Sequence, residues 1–332
     1  MKTKSRGFLV IALAILAAGC FAHEERITVL ADGSVIIRVL HDADSDAELY
    51  ETDAAPTAAG GWLVEPGEKP HSLTAVATFA AGATLPDGFA GPRDPLADLY
   101  VRFPTEVKVE ERADGTYYHF RRVYPRRNWA RISILRDKLD NELGDEIDLD
   151  KDLDEFTREE IIDGTRIFVR YHHLIELELV DLAFRDLYPD GAQDRLLAFR
   201  GYIERSFESV DYSRLAAEVV GAEDPDAVFE AFMERIDEQR DERAGAALAA
   251  TGESNPERTA AFMDRYAWYV RRVDVMQNET FEISVEMPGE IIGSNAESVV
   301  DGTARWNFSA GDLGYGDVEL IVSSVIVTEP AR

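Results

Sequence analysis

Apolar and polar residues alternate along the first part of the chain after a short apolar leader. From Arg26 to Leu40 the alternation is rich in Ile and Val and is broken at Ala31-Asp32-Gly33, which predicts a hairpin closed by a tight turn. The Ala, Gly and Pro content from Asp53 to Pro70 predicts a loop, followed by a strand from Ser72 to Ala80 and a second loop through Pro95. Glu106 to Arg112 and Thr116 to Tyr124 flank Ala113-Asp114-Gly115, which predicts a second hairpin with the same turn chemistry.

Beyond Pro125 the period lengthens from two to about 3.6. Thr157 and Glu160 have capping-box spacing, and the helix they open carries Ile161, Phe168, Tyr171, Ile175 and Leu182 on one broad face before Pro189. Leu196 to Phe207, a segment opened by Asp224-Pro225 and running to Ala250, and one opened by Asn255-Pro256 and running to Val275 predict further helices, with Gly252 as the stop between the last two. The period then returns to two. Thr280 to Met287, Thr303 to Phe308 and Val318 to Val327 predict strands, with turns at Pro288-Gly289, Asp301-Gly302 and Gly311 to Gly316.

Sheets of two or three strands are marginal in water, so the late strands need the early ones as partners. The predicted fold class is therefore α+β: an antiparallel sheet built from the N- and C-terminal strands, with a long helical insertion between them. The corresponding division of the sequence is 1–19, 20–127, 128–278 and 279–328.

The leader modifies this picture. Lys2, Lys4 and Arg6 precede an apolar run from Phe8 to Ala18, the charge order of a secretory signal. A membrane-spanning helix needs about 20 apolar residues, and this run has roughly half that before the chain turns polar at His23 and Glu24. Leu16-Ala17-Ala18-Gly19-Cys20 resembles the bacterial lipobox, although leucine usually stands one place nearer the cysteine. Cys20 is the single cysteine of the chain, which excludes an intramolecular disulfide and suits a thiol consumed by acylation. The resemblance implies cleavage before Cys20, a lipid anchor on its sulfur and an extracytoplasmic body in the cell envelope. Phe21, in place of aspartate, implies the outer membrane where there are two.

Composition narrows the partners. An apolar fraction of 45% is enough for a substantial core. A formal charge of -29 excludes nucleic acid as a general partner, because phosphate binding requires a basic face. The expected partners are the membrane, through the anchor, and an envelope protein or an amphiphile.

Two clusters stand out chemically. Asp148, Asp150, Asp152 and Asp154 alternate, and Glu159 follows eleven residues after the first, matching carboxylate positions of a calcium loop and making Ca2+ a candidate ligand. Leu153 stands where the turn of such a loop calls for glycine, so a solvated acidic approach to the helix explains the run equally well. Arg121, Arg122, Arg126 and Arg127, interleaved with Tyr117, Tyr118, Phe120, Tyr124 and Trp129, form a candidate anion-binding cluster; the alternative is that they neutralise the acidic stretch from Asp137 to Glu160. His172 and Glu176, four apart, can share a metal, or simply pack and hydrogen-bond along the helix.

No motif specifies a reaction. The chain has no G-x-S-x-G, no Walker loop and no G-x-G-x-x-G, and its mature part has no S-x-x-K. A carboxylate-dependent hydrolase stays open because paired acids are recognised only in three dimensions, and the chain has 64 of them. The favoured expectation is a non-catalytic binding or assembly module.

Met287-Pro288-Gly289, Ser294-Asn295-Ala296, Asp301-Gly302 and Trp306 resemble a C-terminal strand pattern of uncharacterised bacterial lipoproteins, including the LppM-like group. The Pro-Gly pair turns the chain, Asn295 tolerates a left-handed backbone, and Trp306 anchors a strand in the core. The resemblance covers about 45 residues and implies an α+β fold and lipid binding, with no functional residue carried over.

Overall fold

The computed structural model describes residues 22–43, 45–46, 49, 55–91, 94–127, 130–146, 156–188, 193–208, 211–276 and 279–328. They fall into two compact units. Gly19–Asn128 joins Val275–Arg332 in a β unit, and Trp129–Asp274 forms a helical unit. The fold is α+β, with the helices inserted between the N- and C-terminal strands.

In the β unit, β1 (Ala22–Val29) and β2 (Val35–Asp42) form the first hairpin. Gly33 at φ 83° supplies its left-handed residue, and Asp32 Oδ1 accepts from the Ser34 amide at 2.9 Å. The strand β3 (Leu63–Pro66) lies on β4 (Ser72–Phe79), and β5 (Thr105–Arg112) pairs with β6 (Gly115–Tyr124). After the insertion come β7 (Thr280–Glu286), β8 (Glu290–Ser294), β9 (Ser298–Val300), β10 (Thr303–Ser309) and β11 (Val318–Val327).

These strands make two sheets where the sequence pattern predicts one. The larger has the order β3-β4-β2-β1-β7-β10-β9 and the smaller β5-β6-β11-β8, so early and late strands meet in both. Each sheet is apolar on one face, and two such faces are buried only against each other. Ile27, Val29, Val35, Ile37 and Val39 line the inner face of the larger sheet, and Phe120, Leu320 and Val322 that of the smaller. The Tyr118 hydroxyl crosses between them and donates to the Ala31 carbonyl at 2.6 Å.

One pairing departs from the antiparallel expectation. β1 and β7 run parallel, with Ala22 opposite Thr280 and Ile27 opposite Val285. Parallel neighbours need a long crossover, and everything between the two strands serves as one here.

Three short strands lie outside the predicted ones: β3 falls in the segment predicted as loop, and β8 and β9 fall between the turns predicted at Pro288-Gly289 and Asp301-Gly302, where the pattern assigns no element. β3, β8 and β9 have 4, 5 and 3 residues, and β3 and β9 are edges of the larger sheet, where a clean alternation is not required. The turn expected from Gly311 to Gly316 contains a one-turn helix, α7 (Asp312–Tyr315).

The helical unit contains α1 (Ala130–Glu146), α2 (Arg158–Leu187), α3 (Gln193–Phe207), α4 (Tyr212–Val220), α5 (Pro225–Ala250) and α6 (Pro256–Met276). Both halves of the predicted capping box are present: Thr157 Oγ1 accepts from the Glu160 amide at 3.2 Å, and Glu160 Oε2 accepts from the Thr157 amide at 2.7 Å. Asp224 caps α5 ahead of Pro225, and Gly252 at φ 81° follows its end. Ile161, Phe168 and Tyr171 of α2 enter a core with Leu139 and Leu143 of α1, Leu215 and Val219 of α4, and Phe229 and Met233 of α5. Ile175 and Leu182 are half-buried, because so long a helix is covered round much of its girth and its buried face is broader than the predicted stripe. Among the described residues no helix is long and apolar enough to cross a membrane.

Candidate functional site

Period-two alternation aims His23, Glu25, Ile27 and Val29 of β1 into the β unit, and Tyr118, Phe120, Arg122 and Tyr124 of β6 toward them. Most of those positions are apolar, but Glu25 and Arg122 carry opposite charges there and are both fully sealed from water. Arg122 Nη1 donates to Glu25 Oε2, and Arg122 Nε donates to Thr105 Oγ1 at 2.8 Å. Glu25 Oε1 meets His23 Nε2 at 2.6 Å and accepts from the Tyr124 hydroxyl at 3.2 Å. Burial alone raises a carboxyl pKa; the charges of Arg122 and His23 and their hydrogen bonds outweigh it and hold Glu25 at about 2. Burial drives the Tyr124 phenol far above its ordinary range.

Aromatic rings wall this cluster. His23 lies 4.4 Å from the His41 ring and 5.4 Å from Phe281, while Phe89 touches Trp62 and Phe103 at 5.3 and 4.7 Å. Burial pushes the His41 pKa well below the usual imidazole value, with the neighbouring His23 adding to the effect and Glu25 opposing it. The Glu25–Arg122 ion pair is closed in, links the two sheets, and gives a ligand no way to reach its charges.

An open cleft lies in the helical unit. Residues of α3, α4 and α5 with Asp211 line this cleft of about 370 Å3, within the range of small-molecule pockets. Its apolar lining is Phe207, Leu215, Phe232 and Ile236, and its guanidinium groups are those of Arg214, Arg235 and Arg243. Arg243 is built in: its Nη2 and Nε meet Glu176 Oε2 and Oε1 at 2.6 and 3.2 Å, its Nη1 donates to the Ile236 carbonyl at 3.1 Å, and it stands 4.8 Å over the Phe207 ring. His173 stacks on the same ring at 4.7 Å, and burial lowers its pKa. Arg214 pairs with Glu218 one turn along α4 at 2.9 Å. Arg235 is exposed and makes no ion pair among the described residues. The cleft thus sets an apolar floor beside three guanidinium groups and the carboxylates of Asp211 and Glu218; Glu218 and Glu176 already pair Arg214 and Arg243, which leaves Arg235 as the guanidinium open to an anion.

The four arginines singled out in the sequence are not brought to one surface. Adjacent positions on a strand face opposite ways, so Arg121 points outward to Glu319 at 2.5 Å while Arg122 points inward to Glu25. Arg126 Nε donates to the Gly314 carbonyl at 3.2 Å, and Arg127 is buried with Nη2 on the Leu99 carbonyl at 2.8 Å. The carboxylates of Arg121 and Arg122 are Glu319 and Glu25, not members of the acidic stretch from Asp137 to Glu160.

Cys20, Asp148, Asp150, Asp152 and Asp154 lie outside the described residues. Glu159 is exposed in the first turn of α2. Among the described residues no group of three or more His, Cys, Asp or Glu is placed to hold a metal ion. Glu176 is held by Arg243, and His172 stacks near Phe168 with Nε2 at 3.4 Å from Arg240 Nη2.

Asn295 does not take the left-handed backbone its residue type allows. Its side chain has a different use: Oδ1 accepts from Trp306 Nε1 at 3.0 Å and from the Ile321 amide at 2.8 Å, and Nδ2 donates to the Glu319 carbonyl at 2.7 Å. Trp306 is buried, as its place in the strand pattern predicts.

No family model and no curated protein matches the chain. A solved structure, the folded domain of LppM from Mycobacterium tuberculosis determined by NMR, is similar over 93% of this chain and 92% of that one at 6% identity, with a TM-score of 0.29. A likeness that slight carries neither fold nor function from one chain to the other.

Proposed function

We propose that this chain is a lipid-anchored envelope protein that binds an anionic amphiphile, with no catalytic role. The cleft of the helical unit carries the reading: Phe207, Leu215, Phe232 and Ile236 offer an apolar floor, and Arg235 offers an exposed guanidinium beside it. The alkyl part of the ligand lies on the rings and branched chains, and its phosphate or carboxylate meets Arg235. The leader ending at Cys20 supports the envelope address.

The hydrolase reading has less to support it. A glycosidase acid needs a carboxyl held protonated near neutrality, whereas Glu25, Asp32, Glu110, Glu142 and Glu253 are each held below the usual carboxylate range.

Titration calorimetry of the full chain with dodecyl phosphate below its micellar concentration, beside an uncharged dodecyl glycoside, tests the proposal. Saturable binding of the phosphate, tighter than that of the glycoside, is the expected result. Equal binding of the two, or no heat with either, rejects it.

A further inference from the structure

β1 begins at Ala22, two residues after Cys20. Two residues span at most about 7 Å of extended chain. A diacylglycerol on that sulfur would therefore hold one particular end of the β unit at the headgroups, not let the unit swing on a leash. This argument rests on the lipid-anchor reading of the leader.

The strand registers identify which residues share that end. Ala22 is opposite Asp42 on β2 and Thr280 on β7, and Thr280 is opposite Ser309 on β10. Ser309 is two strands from Ala22, about 10 Å across the sheet. α7 follows at once and ends in Tyr315, which is 67% exposed, whereas Tyr118 and Tyr124 of the same unit are buried. The segment bearing Tyr315 is braced: the Ala310 amide donates to the Glu279 carbonyl at 2.9 Å, the Ser309 amide donates to Asp312 Oδ2 at 2.7 Å, and Arg126 bonds the Gly314 carbonyl and, through its amide, Asp317 Oδ1 at 2.7 Å.

We infer that the β unit seats on the bilayer by this end, with the Tyr315 ring entering the interface beside the anchored Cys20. A tyrosine combines an apolar ring with a hydroxyl and is suited to the headgroup level. The seat is not an electrostatic one. Lys69 at this end is paired with Asp42, and the segment that Arg126 bonds carries Asp312 and Asp317, so among the described residues here there is no excess of cations to grip an anionic surface. Two acyl chains are enough for stable anchoring, and the ring then fixes orientation.

The opposite end of the unit is about 23 Å away along β1, at the turn of the first hairpin. Ala81 lies at that end, exposed and just beyond Phe79, whose partner is Val35. Because Cys20 is the single cysteine and is consumed by acylation, one added cysteine can be labelled alone. Tyr315→Cys and Ala81→Cys are made in the full chain, purified with its lipid, labelled with a fluorophore and placed in phosphatidylethanolamine–phosphatidylglycerol vesicles containing a headgroup nitroxide lipid. Loss of most of the emission at position 315, and none at position 81, is expected. Equal quenching at both positions, or none at 315, overturns the orientation when mass spectrometry finds the diacylglycerol in place. Mass spectrometry showing Cys20 without lipid instead overturns the anchor reading, and the orientation falls with it.

Discussion

Glu25 and Arg122 come from opposite sheets and neutralise each other where neither touches water. Removing one partner leaves the other charged in an apolar interior, which costs about 3–5 kcal/mol. Glu25→Ala or Arg122→Ala is expected to lower the stability of the β unit by that amount in urea denaturation. Replacing both by leucine removes both charges and should cost clearly less than the sum of the single changes. Additive losses would show that the pair is not coupled.

The same cluster makes the β unit acid-sensitive in two stages. His41 is held neutral by burial, so its folded pKa lies below the unfolded value of 6.5; the stability linked to it is complete above that value and is lost as pH falls below it. Glu25 is depressed from 4.5 to about 2, so its contribution is present above 4.5 and is lost as pH falls toward 2. Urea midpoints should decline from neutrality downward, and His41→Phe should abolish the first decline while keeping the second. A flat midpoint between neutrality and pH 5 in the parent chain would contradict the assignment of His41.

Much of this was legible residue by residue. Asp32-Gly33 and Asp114-Gly115 mark the hairpins because a tight turn needs residues tolerant of positive or unusual φ, and Thr157 with Glu160 marks a helix start because both side chains meet backbone amides. The strand parity of β6 also contains the buried pair. Tyr118, Phe120 and Tyr124 share a face, so Arg122 must join them while Arg121 points away; counting in twos, not reading the arginines as a run, separates the two. The cleft has no such signal. Phe207, Leu215 and Phe232 are ordinary helix-face residues until three helices converge, and β3, β8 and β9 are too short to show a period.

Two glycines of the β unit separate backbone strain from crowding. Gly302 has φ 77° and an added Cβ would find its nearest neighbour, the Met287 carbonyl oxygen, at 3.8 Å; Gly302→Ala should cost about 1–2 kcal/mol from the left-handed conformation alone. Gly289 has φ 78°, and its Cβ would lie 2.2 Å from the Val325 carbonyl oxygen of the neighbouring sheet strand, forcing β8 and β11 apart. Gly289→Ala should therefore be the more damaging by at least about 2 kcal/mol. Equal losses in denaturation would mean the turn yields freely.

Within the cleft, Arg243 and Arg235 should respond in opposite ways. Arg243 holds the carboxylate of Glu176, which is 2% exposed, so Arg243→Ala strands a buried charge and should cost the helical unit about 3–5 kcal/mol. Arg235 is exposed and free of ion pairs among the described residues, so Arg235→Ala should change stability by no more than about 0.5 kcal/mol. It should nevertheless weaken dodecyl phosphate by about tenfold, the loss of roughly 1.4 kcal/mol for one charge-assisted contact, and leave the uncharged glycoside unaffected. Phe232→Ala removes apolar floor instead and should weaken both probes alike. If Arg235→Ala weakened the two probes equally, the guanidinium would not be meeting the anion, and the selectivity assigned to this cleft would have to come from elsewhere.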